Sequence, residues 1–183
     1  MDSAISSLLL FTVGIYTALT LSHTYLENQG LLWGAEQSRQ VQTMTRAQTT
    51  LTVRSVETQS DGAWITLTVR NSGQTKLADY EKWDLIVEYY SAPEFWEAPQ
   101  PYDLNIMRLR YTDAPPTWGE WTVNGLFVDA QGLQPEAFDP GIFNPDEEMV
   151  IQARLAPSVA LTTTNRITLG TPNGVTVSGH FLR

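Results

Sequence analysis

The stretch that decides the fold is AISSLLLFTVGIYTALTL, residues 4–21, which lies at the front of the chain and carries no charged side chain. A helix of this length spans about 27 Å, close to the roughly 30 Å hydrocarbon thickness of a bilayer. No proline precedes Pro93 and no Lys or Arg precedes Arg39, so the composition offers nothing that would interrupt a helix there. The sequence therefore predicts a membrane-length apolar helix at the start of a polar chain.

Beyond Leu21 the apolar residues continue on one side only. The spacings of Leu26, Trp33, Val41 and Met44, with the polar Gln37 on the same line, keep them on one face of a helix. This pattern predicts an amphipathic stem that extends the first helix to about Arg46. Gly30 and Gly34 are the positions at which we expect the helix to bend or unwind, since each costs about 1 kcal/mol relative to Ala.

From Thr50 onward the period changes from helical to two. A turn at Asp61-Gly62 separates two alternating segments, which predicts a β-hairpin. Turn signals between the later segments include Asn124-Gly125. The eight predicted strands are Leu51–Glu57, Ala63–Asn71, Trp83–Tyr90, Leu104–Tyr111, Glu120–Val123, Glu148–Leu155, Arg166–Leu169 and Val175–Phe181. The predicted fold class is α+β, a long N-terminal α-helix (residues 1–47) followed by an antiparallel immunoglobulin-like β-sandwich (residues 48–183).

The charge and the residue types exclude several functions. The 183 residues include 20 Asp and Glu against 11 Lys and Arg, a net charge of -9, which argues against binding to nucleic acid. There is no cysteine, and His23 and His180 are the only histidines, at opposite ends of the chain. No GxSxG motif accompanies them. We therefore expect a protein that is not an enzyme and needs no cofactor.

Two polar or aromatic segments remain as candidate sites. Asp139, Asp146 and Glu147 could bind calcium, but their spacing departs from the regular calcium loop, so solvated turns are the favoured interpretation. Aromatic residues concentrate between Tyr89 and Trp121, where packing in the core is the favoured interpretation. Phe95 and Trp96, in a proline-flanked loop, are the exception and are predicted to make a surface contact.

The layout of the chain resembles the archaellins, the archaeal-type flagellins of the type IV pilin superfamily. The resemblance rests on the front, MDSAISSLLLFTVGIYTAL, and on VRNSGQTKL (69–77), FNPDEEMVIQARL (143–155) and ITLGTPNGV (167–175). It implies a structural subunit of an extracellular helical filament used for motility. Its partners would be identical subunits, the membrane before assembly and the filament's motor and platform proteins. It also implies that Met1 is the first mature residue, with Ile5 where pilins carry Glu.

Self-assembly is expected to use the helix, because an apolar helix removed from lipid needs cover that copies of itself can supply. The residues predicted to form these contacts are Ile5, Leu8, Leu9, Leu10, Phe11, Val13, Ile15, Tyr16, Leu19, Leu21, Leu26, Trp33 and Val41. Three alternatives stay open: a membrane-anchored envelope protein of the archaellum's stator type, an adhesive pilin, and a carbohydrate-binding surface domain that uses Trp96.

Overall fold

The computed structural model describes residues 2–92, 102–136 and 138–183. The chain divides into two compact units, Met1–Met44 and Thr45–Arg183. The first is helical, and the second contains all the strands.

The N-terminal helix, α1, extends from Asp2 to Gln48 without interruption. The unwinding expected at Gly30 and Gly34 is not observed, because both glycines lie inside the continuous helix. A penalty of about 1 kcal/mol for each glycine is too small to end a helix that continues for many residues on either side.

Beyond the end of α1, the described residues of the second unit form nine strands and one short 3-10 helix at Tyr80–Lys82. The strands are β1 Leu51–Thr58, β2 Trp64–Asn71, β3 Asp84–Ser91, β4 Asp103–Tyr111, β5 Glu120–Asp129, β6 Gln134–Pro135, β7 Glu148–Arg154, β8 Thr164–Gly170 and β9 Thr176–Leu182. Their order is β1-β2-β7-β5-β4-β3-β8-β9, with β6 beside β5.

This order forms a sandwich with two four-stranded halves, β1-β2-β7-β5 and β4-β3-β8-β9. Pairing within each half is antiparallel. The halves are joined by a short parallel pairing in which Arg110 lies opposite Glu120 and Tyr111 opposite Trp121. The predicted α+β class, a helix followed by a mostly antiparallel sandwich, is confirmed.

The predicted turn at Asn124-Gly125 is wrong. The register between β5 and β7 shifts between Val123 and Gly125, and β5 then continues to Asp129. Because β7 pairs with β5 on both sides of this point, the extra residue is accommodated as a β-bulge. Gly125 also leaves room for an aromatic ring, since a Cβ there would lie 2.8 Å from Cε2 of Phe127. The two-residue β6 was not predicted, because so short a segment has no detectable alternation.

The core lies between the two halves, and the alternation of each strand determines which residues enter it. In β2, buried residues alternate with half-buried ones along the whole strand. The largest fully buried side chains include Trp121, Tyr89, Phe143, Met149 and Ile151. Burial of these large apolar groups supplies the main favourable contribution to folding of the sandwich.

The outermost strands β1 and β9 pack against each other through a glycine. Gly179 of β9 is buried, and a Cβ at this position would lie 2.7 Å from Cγ2 of Val56 and 3.0 Å from Cγ1 of Val53. Valine side chains are branched at Cβ and move little. The close approach of β1 and β9 therefore requires that residue 179 have no side chain.

We expect Gly179→Ala to lower the free energy of unfolding of the sandwich by about 1–3 kcal/mol, the usual cost of overpacking a filled core. Gly170 of β8 is the matched control, because a Cβ there would meet its nearest neighbour at 3.7 Å, an ordinary contact. Urea unfolding followed by tryptophan fluorescence measures both variants. Equal stability of Gly179→Ala and Gly170→Ala would contradict this account of the closure.

Candidate functional site: the exposed face of the N-terminal helix

The first part of α1 has the length and composition of a membrane-crossing segment. Within the described residues, Ser7–Leu26 is the one helical stretch long and apolar enough to span a bilayer, and none of it is buried by the rest of the protein. Phe11 and Leu19, for example, are 67% and 65% exposed. Exposed apolar side chains at this density require cover from lipid or from other protein.

The threonines of this segment satisfy their own hydroxyl groups. Each donates a hydrogen bond to the carbonyl oxygen four residues earlier: Thr12 to Leu8 (2.8 Å), Thr17 to Val13 (3.0 Å), Thr20 to Tyr16 (2.8 Å) and Thr24 to Thr20 (3.0 Å). In hydrocarbon an unpaired hydroxyl costs free energy, because no water can replace the missing partner. These four bonds remove that cost, so the threonines are compatible with a lipid surrounding.

A single apolar stripe continues along α1 beyond the membrane-length segment. Its members are spaced by three, four, seven or eight residues, which keeps them within about 60° of one line on a helix with 3.6 residues per turn. The stripe consists of Leu8, Phe11, Ile15, Leu19, Leu26, Trp33, Val41 and Met44, all exposed. Gln37 lies on the same line.

The other predicted assembly residues lie away from this stripe. Leu9, Leu10, Val13, Tyr16 and Leu21 are exposed as well, but they project from other sides of the helix and only within Ser7–Leu26. Between Glu36 and Met44 the sides away from the stripe carry polar residues, among them Arg39, Gln42 and Thr43. The helix is thus apolar all round at first and apolar on one face afterwards. The predictions for the side chain of Ile5 and for Phe95 and Trp96 fall outside the described residues.

The acidic turn has structural partners in place of a metal. Asp139 forms an ion pair with Lys76 at 2.5 Å, and Asp146 with Arg70 at 2.9 Å. The carboxylate of Glu147 accepts a hydrogen bond from the backbone N–H of Asn144 at 2.8 Å. The described residues contain no group of three or more His, Asp or Glu placed to hold a metal ion. Asp139, Asp146 and Glu147 thus each contact other residues of the sandwich, and their interpretation as solvated turns stays a prediction.

Most of the aromatic residues between 89 and 121 pack inside the sandwich or against other side chains. Tyr89 and Trp121 are fully buried. Trp118 is exposed on one side, and its ring lies 3.9 Å from the guanidinium carbon of Arg154, a cation–π contact. Trp64 contacts the same guanidinium at 5.0 Å. The packing interpretation therefore holds for Tyr89 and Trp121, whereas Tyr90, Tyr102 and Trp118 are exposed.

A chain of four aromatic rings at the edge of the core was not predicted as a unit. Neighbouring ring centroids are 5.5 Å apart for Tyr80 and Trp83, 6.5 Å for Tyr80 and Tyr111, and 4.9 Å for Tyr111 and Trp121. The first and last pairs meet edge to face, a favourable geometry for aromatic pairs. Tyr111 and Trp121 meet because they are partners in the pairing of β4 with β5, whereas Tyr80 and Trp83 lie at the short 3-10 helix, earlier in the chain.

Burial changes the acidity of two tyrosines in this chain of rings. Burial raises the pKa of Tyr80 above its ordinary value, and the negative charge of Glu136 adds to the effect. The pKa of Tyr111 is raised to about 12, first by burial and then by the hydrogen bond that its hydroxyl donates to Asp113 at 2.7 Å. Both side chains therefore favour the neutral form.

The stability of the sandwich is expected to fall as the pH rises from about 10 towards 12. The ordinary pKa of a tyrosine is 10.0, and the pKa of Tyr111 in the folded protein is about 12. The contribution of the neutral hydroxyl to stability is therefore complete below about pH 10 and is lost as the pH rises to the folded pKa. Urea unfolding at a series of pH values measures the loss, and Tyr111→Phe should reduce it. An unchanged pH dependence in Tyr111→Phe would show that this hydroxyl does not contribute.

No family model and no curated protein matches this chain. The chain is similar in structure to the archaellum periplasmic stator protein FlaG from Sulfolobus acidocaldarius, at 19% sequence identity and a TM-score of 0.48, covering 73% of this chain and 99% of that one. It is also similar to a chain in the archaellum periplasmic stator complex of FlaF and FlaG from the same organism, at 17% identity and a TM-score of 0.48, covering 72% of this chain and 87% of that one. At these values the likeness is one of fold alone.

Proposed function

We propose that this chain is a membrane-anchored envelope protein with no catalytic role. Ser7–Leu26 would cross the membrane, and the acidic sandwich would lie on its outer side. The observation that carries the proposal is a helix of membrane length with every described side chain exposed and its threonine hydroxyls bonded to its own backbone. Lipid satisfies such a helix without any further partner.

A second copy of the chain is the partner that we propose for the stripe beyond the membrane. Anchored copies are parallel, and each presents Trp33, Val41 and Met44 at the same height above the lipid. Pairing of identical stripes would cover three exposed apolar side chains on each copy. Lipid cannot cover this part of the stripe if the membrane ends near Leu26.

The filament subunit suggested by the resemblance to archaellins is the second candidate, because the helix is apolar on all sides over Ser7–Leu26. A helix in the core of a filament is surrounded by neighbours. The described residues from Glu36 to Met44 are apolar on one face only, which favours a small assembly of anchored copies. More narrowly, we propose that the chain is a stator-type sandwich protein. The two similar structures are named as stator proteins.

The anchor is tested by placing a charge in the apolar segment. Tyr16→Arg and Leu19→Arg together should move the chain from the carbonate-resistant membrane fraction to the soluble fraction, since each arginine costs about 2.5–3.5 kcal/mol near the centre of a membrane helix. Trp33→Arg, outside Ser7–Leu26, is the control and should stay in the membrane. Protease added to intact cells should remove the wild-type sandwich.

Three results would oppose this proposal. Membrane retention of the double variant would show that the segment is not the anchor. Protection from external protease would place the sandwich on the inner side. Recovery of the wild-type chain from sheared surface appendages, seen as fibres by electron microscopy, would favour the filament candidate.

Pairing through the stripe is tested with single cysteines, which is straightforward because the chain has none of its own. Gln37 lies on the stripe and Gln42 on another side of the helix, and both are exposed. Oxidation in membranes should convert Gln37→Cys mainly to disulfide-linked dimers, whereas Gln42→Cys should remain mostly monomeric. Equal cross-linking at the two positions would contradict pairing through this face.

A further inference from the structure

The outer surface of the first half of the sandwich contains a groove of about 640 Å³, within the usual range for ligand sites of roughly 300–1,000 Å³. Its floor is formed by Thr66 and Thr68 of β2 and by Val150 of β7. These residues alternate with core residues along their strands, so their side chains point outward. Asp129 at the end of β5 and residues of the turn after it, among them Ala130 and Leu133, form one side.

One carboxylate fixes the shape of the groove. Glu148 is only 12% exposed, and its Oε1 accepts a hydrogen bond from Nε of Arg54 at 3.0 Å. Its Oε2 accepts one from the backbone N–H of Ala130, also at 3.0 Å. Glu148 therefore holds β1 and the turn after β5 together. The shape of the groove is set by these contacts within the fold.

A row of hydrogen-bonding side chains in this groove has no partner among the residues that the structure describes. The side chains of Ser55, Glu57, Thr66, Thr68 and Asn124 line the groove, and in the part of the chain that the structure describes they form no hydrogen bond or ion pair. Thr66 and Thr68 are half-buried on a strand that is paired on both sides. A ligand with several hydroxyl groups would satisfy such a row.

Apolar groups lie beside this row. The ring of Phe127 and the side chain of Leu133 both line the groove, and Leu133 is 75% exposed. A sugar ring combines a face of C–H groups, which packs on aromatic or aliphatic side chains, with hydroxyl groups at its edge. The groove offers both kinds of contact side by side.

Charge and backbone pairing narrow the class of ligand. Arg54 and Glu148 neutralise each other, which leaves the carboxylates of Glu57 and Asp129 and a negative groove that repels anions. The strands of the floor, β2 and β7, are paired on both sides, so an extended peptide cannot add to them as a further strand. We propose that this groove binds a neutral oligosaccharide.

The proposal is tested with the full-length chain in lipid nanodiscs and a panel of short, neutral, linear oligosaccharides of glucose, mannose, galactose and N-acetylglucosamine. At least one should bind saturably in a calorimetric titration, and heparin oligosaccharides, which are anionic, should not. Thr68→Val and Asn124→Ala should each weaken binding about tenfold, the effect of losing one hydrogen-bonded contact. Thr176→Val, an exposed threonine of β9, is the matched control and should bind as the wild type does.

Absence of binding across the neutral panel would overturn the proposal, as would tighter binding of heparin. Binding that neither Thr68→Val nor Asn124→Ala weakens would place the sugar elsewhere and would overturn it as well. Urea unfolding of each variant checks that the sandwich is intact. Because membrane retention does not depend on these residues, failure here is distinguishable from failure of the proposed anchor.

Discussion

The need to cover an apolar helix is the constraint on which the rest of this protein depends. Over Ser7–Leu26 apolar side chains are exposed on every side of the helix, and lipid can cover them without a specific partner. Beyond Leu26 the described apolar side chains lie on one face, where a neighbouring helix can meet it. The change from all-round to one-sided exposure therefore indicates where we expect the lipid to end and contacts between proteins to begin.

The sandwich covers its own apolar side chains. Its strands alternate, so that one face of each half is buried against the other and large side chains such as Trp121 and Tyr89 are fully enclosed. The two outermost strands close on each other at Gly179, where a side chain would not fit. The core of the second unit is formed by residues from its own strands together with residues between the strands, such as Leu77, Phe143 and Val159.

The acidic residues of the sandwich form individual ion pairs and hydrogen bonds, which the net charge alone does not show. Asp146 and Asp139 form ion pairs with Arg70 and Lys76, exposed contacts of the kind that contribute little stability individually. Glu148 is different, because it is nearly buried and connects two segments that are distant in sequence. Loss of this carboxylate would leave the partly buried backbone N–H of Ala130 without its partner, which costs more than loss of an exposed ion pair.

The sequence by itself determined the features that depend on neighbouring residues. Alternation along Trp64–Asn71 and the Asp-Gly turn before it were sufficient to predict β1 and β2, and the apolar run at the front was sufficient to predict the start of α1. The stripe could also be read from spacing, since residues three and four apart share a face of any helix. These properties are local, so they do not require knowledge of the fold.

The tertiary structure alone decided the features that depend on distant pairing. Asn124-Gly125 is a turn signal in isolation, but β7 continues alongside and converts it into a bulge. The contact of Tyr80 with Tyr111 and the hydrogen bond from Arg54 to Glu148 join segments that are far apart in the chain. No local pattern encodes which distant strand becomes a neighbour, because that choice is made by packing of the whole core.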